Sequence, residues 1–283
     1  ELTCVQTQIL ARHAWNASEH FDLYADRARS IQEVERFAGP AEARRFEQFC
    51  ALASAAYRTL EAAYIRSERP SITSMNADLG LSGLSVLWRL GLFQSLWSSL
   101  HRHFKDPRLH QLFSRYATYC GSSPLQAPAT LMLIADVEMQ GVWRIEGGMT
   151  ALAQSIAGLA QRHGAQIRTD CDVTRIVVDQ DRATGVQLRS GETIAAHSVI
   201  FNGDVAALRN GAIGLGSARS AAAHDQPSAA VAHQASGAPF GAPEDDLPKR
   251  SLSALTHSMH ARTQGFPLVY HNLFFNQDYE REF

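Results

Sequence analysis

The residues best placed to do chemistry lie in the run Val142-Trp-Arg-Ile-Glu-Gly-Gly-Met149. Gly147 and Gly148 carry no Cβ at two successive positions, so another backbone or a flat ligand can approach closely. Other chemistries find less support. Ser, His and Asp are all present, yet no Gly-x-Ser-x-Gly elbow occurs, so hydrolysis has no anchor. His101 and His103 are two apart and do not share a helix face. His257 and His260, on an expected strand, point to opposite faces. Cys4, Cys50, Cys120 and Cys171 are far apart with no Cys-x-x-Cys, which removes the usual zinc and redox signals. No metal site is expected. Gly214-Leu-Gly216 has Arg219 where a dinucleotide fingerprint needs a third small residue, and it follows no strand of a βαβ unit. It reads as a loop.

Around the glycine pair the elements are regular. Val142 to Ile145 alternate like a strand end. Leu152, Ile156, Leu159 and Ala160 then recur at helical spacing, and Gly164 ends that helix. Strands are expected at 166–169, 173–178, 184–188 and 193–201, split by turns at Asp179-Gln-Asp-Arg and Ser190-Gly-Glu. Upstream, Cys4 to Tyr24 reads as a hairpin turning at Asn16-Ala-Ser-Glu. Helices are expected at 31–37, 41–68, 79–104, 107–119 and 128–139. Asp106 caps the fourth and Pro107 opens it. Residues 211–248 are rich in Ala, Gly, Ser and Pro and read as a connection. Leu252 to His260 and Leu268 to Phe275 read as two strands.

The chain has 283 residues with 45% hydrophobic and 19% charged residues, ordinary globular values that allow two domains. A net charge of −2 gives no footprint for nucleic acid. The 12 histidines are scattered and expected to be solvated. No window of ~18 apolar residues is present, so no spanning helix is expected. The apolar stretch 79–104, with Trp88 and Trp97, reads as core, with an interfacial membrane helix as the other reading. Glu1 and Phe283 suggest that the sequence is an internal fragment.

The order strand, Gly-Gly loop, helix, antiparallel ladder resembles the flavin-dependent amine oxidase and phytoene desaturase superfamily. Within it, Asp106-Pro-Arg-Leu-His-Gln-Leu-Phe113, Gly121-Ser-Ser-Pro-Leu-Gln-Ala-Pro128, Gly141-Val-Trp, Gly147-Gly-Met and Phe201-Asn-Gly-Asp204 are similar to the bacterial carotenoid desaturases. His13-Ala-Trp, Arg250-Ser-Leu-Ser-Ala-Leu, His260-Ala-Arg-Thr-Gln-Gly-Phe-Pro-Leu and Phe274 to Phe283 are similar to the branch acting on acyclic hydroxycarotenoids, the hydroxyneurosporene desaturases. The resemblance covers nearly the whole chain and fails at about residues 211–247.

The resemblance implies an α+β chain: an FAD-linked, amine-oxidase-like two-domain fold that lacks its N-terminal dinucleotide-binding βαβ unit. Residues 1–139 would open a substrate-binding domain and 250–283 complete it. Residues 140–208 would be the middle of the FAD-binding domain, with 209–249 as the poorly ordered connection. FAD is the implied cofactor. Val173 would contact its adenine through the main chain, with Gly147, Gly148, Met149, Asn202 and Asp204 also on the cofactor side. Trp143, Thr256, His257 and His260 are the candidates for the substrate side. Removing hydrogens from an unactivated chain needs a redox cofactor for the hydride. Glu146 and His110 are the candidates for the proton, although the family often has Arg where His110 stands. The implied reaction is desaturation of a hydroxylated acyclic carotenoid in carotenoid biosynthesis, and residues 1–283 by themselves are not expected to be active. The implied location is cytoplasmic, in peripheral contact with the lipid of an inner or photosynthetic membrane. A phytoene desaturase, a flavin amine oxidase and a non-catalytic carotenoid-binding fragment are the other readings.

Overall fold

A computed structural model describes residues 2–61, 65–66, 86, 88–89, 91, 94–209, 211–216, 252, 254–276 and 279. The chain forms two compact units, Glu1–Ser155 with Arg250–Phe283, and Ile156–Lys249.

The first unit begins with β1 (Cys4–Gln6) and a hairpin of β2 (Ile9–Ala14) and β3 (His20–Tyr24). Asn16 makes the turn, as expected: its Oδ1 accepts from the Ser18 and Glu19 N–H groups at 3.0 and 2.9 Å, mimicking a backbone turn. Asp26 then caps α1 (Arg27–Ala38) by accepting from the Ala28 and Arg29 N–H groups. Pro40 opens α2 (Pro40–Leu60), which buries Phe46, Phe49, Cys50, Ala53, Ala56 and Leu60 along one stripe. The remainder of the expected helix over 41–68 lies largely outside the described residues, as does most of the stretch 79–104. Within that stretch, Ser95 caps α3 (Leu96–His103).

Asp106 caps α4 (Pro107–Ser114) with Pro107 in its first turn, as the sequence suggests. The helix does not run on as α to Tyr119. Arg115–Cys120 tightens into a 3-10 helix that ends on Gly121 at φ 62°. Ala129–Leu133 is likewise 3-10 before α5 (Ile134–Met139). Phe49 meets Phe104 and Phe113 at 5.1 and 4.7 Å between ring centres, so α2, α3 and α4 close on one aromatic core. β4 (Trp143–Ile145) pairs antiparallel with β1. α6 (Gly148–Arg162) follows and buries no residue.

In the second unit, β5 (Val173–Asp179) and β6 (Arg182–Leu188) form a hairpin. Gln180 and Asp181 at its turn have φ 45° and 59°, the paired left-handed residues that match strand twist. β7 (Thr193–Ala195) adds to β6. It is far shorter than the expected strand over 193–201, and 166–169 is irregular. A Cβ at Gly185 would lie 2.2 Å from the Ile194 carbonyl oxygen, so only glycine lets β6 and β7 approach this closely. After α7 (Val205–Arg209), Gly214–Gly216 is β8, parallel to β5. The loop expectation there fails because a parallel ladder uses only main-chain groups and needs no side-chain pattern. The sheet order is β7-β6-β5-β8.

The chain then returns to the first unit, where β9 (Asn272–Phe274) pairs parallel with β2 to give the order β3-β2-β9. The strand expected at Leu252 to His260 does not form: residues 254–260 are irregular and exposed. Nor are the histidines uniformly solvated, since His13 and His110 are buried. Of the cysteines, Cys50 is buried and Cys4 and Cys120 are exposed.

Candidate functional site

The glycine loop is tied down from the N-terminal strand. The Glu146 N–H donates to the Thr3 carbonyl at 3.0 Å, and both the N–H and the hydroxyl of Thr7 donate to the Val142 carbonyl at 2.9 Å. A Cβ at Gly141 would lie 2.6 Å from the Trp143 ring, so this glycine sets where that ring rests. Gly147 and Gly148 hold φ 81° and 73°, a conformation that side chains rarely adopt. A Cβ on Gly148 would meet nothing within 4 Å. The surface above it is therefore open to a flat group. Trp143 and Met149 flank it at 53% and 70% exposure, and Glu146 is exposed beside it.

The other expected cofactor residues are in the second unit. The Asp172 carbonyl accepts from the Arg189 N–H at 2.8 Å, on the β6 side. The next residue of an extended chain turns its N–H and C=O to the opposite edge. There β8 begins pairing only at Arg175. Val173 therefore presents a main-chain donor and acceptor that no described strand takes, an arrangement that suits a planar heterocycle. Asn202 is exposed. Asp204 caps α7, its Oδ1 accepting from the Ala206 N–H at 2.9 Å.

Back in the first unit, His110 lies on α4. Its Nε2 meets the Phe104 carbonyl at 3.0 Å, so that nitrogen is the donor and the pair ties α4 to the end of α3. His101 stacks on it at 3.9 Å and Trp97 meets it edge-on. Burial pushes the imidazole below its ordinary pKa, only partly opposed by the Phe104 carbonyl. Thr256, His257 and His260 lie together on the irregular, exposed run before β9. Trp97 packs against Tyr279, whereas Trp88 is 80% exposed.

A buried polar cluster escaped sequence reasoning. Glu138 on α5 accepts from Arg115 Nη2 at 2.5 Å and from the Tyr116 and Tyr119 hydroxyls at 2.9 and 3.2 Å. Burial opposes the Arg115 charge, but Tyr116 and Glu138 outweigh it and the guanidinium is held above its ordinary pKa. Tyr116 is pushed well up, first by burial and then by the Glu138 charge. The residue types were visible; their pairing, 23 positions apart, was not. A second buried polar group, His13 on β2, faces Phe21 and Phe275.

Among the described residues no group of three His, Cys, Asp or Glu is placed to hold a metal ion, and no helix is long and apolar enough to cross a membrane.

A scan against family models matches residues 21–246 to the flavin containing amine oxidoreductases. The chain belongs to this family, and the mixed α+β, amine-oxidase-like fold expected from the sequence is borne out. Among curated relatives, it is 50% identical over 276 residues to the hydroxyneurosporene desaturase of Rubrivivax gelatinosus, covering 97% of this chain and 49% of that protein. It is 40% identical over 282 residues to the hydroxyneurosporene desaturase of Cereibacter sphaeroides, covering 100% of this chain and 52% of that one. The phytoene desaturase of Neurospora crassa is more distant, 30% identical over 194 residues that cover 66% of this chain and 32% of the relative. The chain spans about half the length of the hydroxyneurosporene desaturases it matches.

Proposed function

We propose that this protein desaturates an acyclic hydroxylated carotenoid such as hydroxyneurosporene, with FAD as its cofactor. The observation that carries this reading is the 50% identity over 97% of the chain to a hydroxyneurosporene desaturase. The described residues fit the cofactor in two places, the open surface over Gly148 and the untaken main-chain edge at Val173. FAD, when bound, supplies the hydride acceptor that no side chain provides.

The rest is the work of the chain. Val173 would hold the adenine through its N–H and C=O. Gly147, Gly148 and Met149 would lie against the ring system, and Asn202 and Asp204 would complete the cofactor side. Glu146, exposed beside the glycine pair, is our candidate to take the proton. His110 is the weaker candidate, because one ring nitrogen is committed to Phe104. Trp143 offers an aromatic face to the polyene. Thr256, His257 and His260 are assigned to the substrate side, where they would need a covering surface to form a tunnel wall. In domain terms, residues 1–139 and 250–283 would serve the substrate and 140–208 the cofactor, joined by the connection at 209–249.

A carotenoid dissolves in lipid, so peripheral and reversible contact with a membrane from the cytoplasmic side follows from the proposal. Trp88, at 80% exposure, is one exposed aromatic side chain that supports it, and no metal or nucleic acid enters the reading. The test supplies the full-length protein with phytoene and hydroxyneurosporene in parallel and follows the red shift as conjugation lengthens. Conversion of hydroxyneurosporene is expected. Conversion of phytoene alone overturns the substrate assignment, and oxidation of an amine with neither carotenoid converted overturns the reaction.

A further inference from the structure

We propose that the apolar stripe along α6 is covered by the half of the full-length polypeptide outside residues 1–283. In α6 (Gly148–Arg162), Met149, Leu152, Ile156 and Leu159 recur at helical spacing and share one face. The helix nevertheless buries no residue. Ile156 is 59% and Leu159 49% exposed. A helix in a protein owes most of its stability to the packing of its apolar face, and one of about 15 residues is marginal by itself in water. α6 therefore calls for a cover. Met149, at the head of the stripe beside the glycine loop, is left to the cofactor. Ile156 and Leu159, about two to three turns further on, are the part to be covered. The helix leads directly out of Gly148, so whatever holds it also steadies the glycine loop.

Lipid, a second copy and more of the same chain are the three candidate covers. A helix that lies in a membrane surface carries Lys and Arg along its polar face. The polar side of α6 holds Thr150, Gln154, Ser155, Gln161 and a single cation, Arg162, which does not suit lipid. The stripe is too small for a second copy. With 15 residues, the helix is roughly 22 Å long and about 10 Å wide, so one face offers roughly 220 Å². A stable interface between separate molecules takes about 800 Å² from each partner. A cover in the same polypeptide is tethered and gives up no translational freedom on docking, so a small area suffices. The length available agrees. The chain spans about half the length of the hydroxyneurosporene desaturases it is similar to, and a full-length protein of that size has about as much polypeptide again.

The test uses the full-length holoprotein at two concentrations, with Ile156→Cys, Leu159→Cys or Gln154→Cys. Each variant is labelled with a maleimide and read site by site by peptide mass mapping, which sets the 4 native cysteines aside. Gln154 is exposed and lies on the opposite face of the helix from Ile156. Ile156→Cys and Leu159→Cys are expected to react roughly tenfold or more slowly than Gln154→Cys at both concentrations, and to match it once the protein is unfolded. Rates equal to that of Gln154→Cys, fast or slow, overturn the inference, which assigns a cover to one face. Protection that vanishes on dilution gives the stripe to a second copy. Protection that appears only when phosphatidylcholine vesicles are added gives it to lipid. Either overturns the inference. Hydrogen exchange of the unaltered protein checks the same point without a substitution: the amides from Leu152 to Leu159 should be protected, and exchange as fast as in an unfolded chain overturns the cover. None of these readouts depends on which carotenoid is converted.

Discussion

In the first unit, the Arg115–Glu138 ion pair is buried among aromatic rings, although pairs such as Arg66–Glu61 lie at its surface; in the second, the described ion pairs lie in solvent and few described side chains are covered. Arg115 and Glu138 have side chains 6% and 10% exposed, whereas Arg168 and Glu192 are at 45% and 48% and Arg189 and Asp172 at 75% and 59%. Among the described hydrophobic residues of the second unit, Ile176, Val177 and Leu188 are buried. The first unit is thus organised by packing around side chains, and the second by main-chain pairing along β7-β6-β5-β8. That difference suits their proposed tasks. A unit that aims an apolar molecule needs shaped walls, while one that reads a nucleotide through backbone groups needs a correctly placed strand edge.

The largest test of this contrast is Glu138→Ala. It strands the Arg115 charge in the core and is expected to cost about 3–5 kcal/mol, measured by chemical denaturation of the full-length protein. A loss of under about 1 kcal/mol would place the cluster among exposed pairs.

A pH series gives a smaller effect of the same kind. His13, His103 and His110 are all held below the ordinary histidine value of 6.5, chiefly by burial. Above 6.5 both folded and unfolded states are neutral and stability is complete. As pH falls below 6.5, the unfolded chain takes up protons that the folded one refuses, so stability drops until the depressed folded values are reached. The melting temperature is expected to fall between about pH 6.5 and 5, and His13→Phe should flatten that fall. A melting temperature that stays level over this window would contradict the burial of these rings.

The smallest effect is expected at Arg168→Ala in the second unit. Its exposed pair with Glu192 is screened by water and salt, so the denaturation midpoint should match wild type within error. A clear loss would mean that this surface pair is covered in the full protein.

The same contrast explains what the sequence revealed. Signals that live within a few residues were legible: the Asn16 turn, the Asp26 and Asp106 caps, the α2 stripe and the Gly147-Gly148 loop. Asp106 caps its helix because the side chain and its target N–H groups are neighbours in the chain. Pairings over distance were not legible. β1 with β4, and Arg115 with Glu138, depend on how helices and strands are assembled. Gly214–Gly216 became a strand because β5 offered a ladder to it, something no glycine-rich run announces. The reverse error occurred at 254–260, where suitable residues found no partner strand. In the candidate site, the residue types of His110 and Glu146 were visible, but the burial of the one and the exposure of the other were not.

The parallel pairing of β2 with β9 has a consequence for the making of the molecule. The Arg12 main-chain N–H donates to the carbonyl of His271 at 2.9 Å, and Arg12 pairs in register with Asn272, so one edge of β2 waits for a partner throughout the synthesis of everything between. At a translation rate of ~5–20 residues per second, that wait lasts roughly 13–50 seconds. For that time the nascent hairpin presents an unpaired, partly apolar edge, the kind of surface that invites association with another growing copy. Completion of the first unit is therefore a late event on the ribosome, and its yield in a cell will depend on what shields that edge until Asn272–Phe274 arrives.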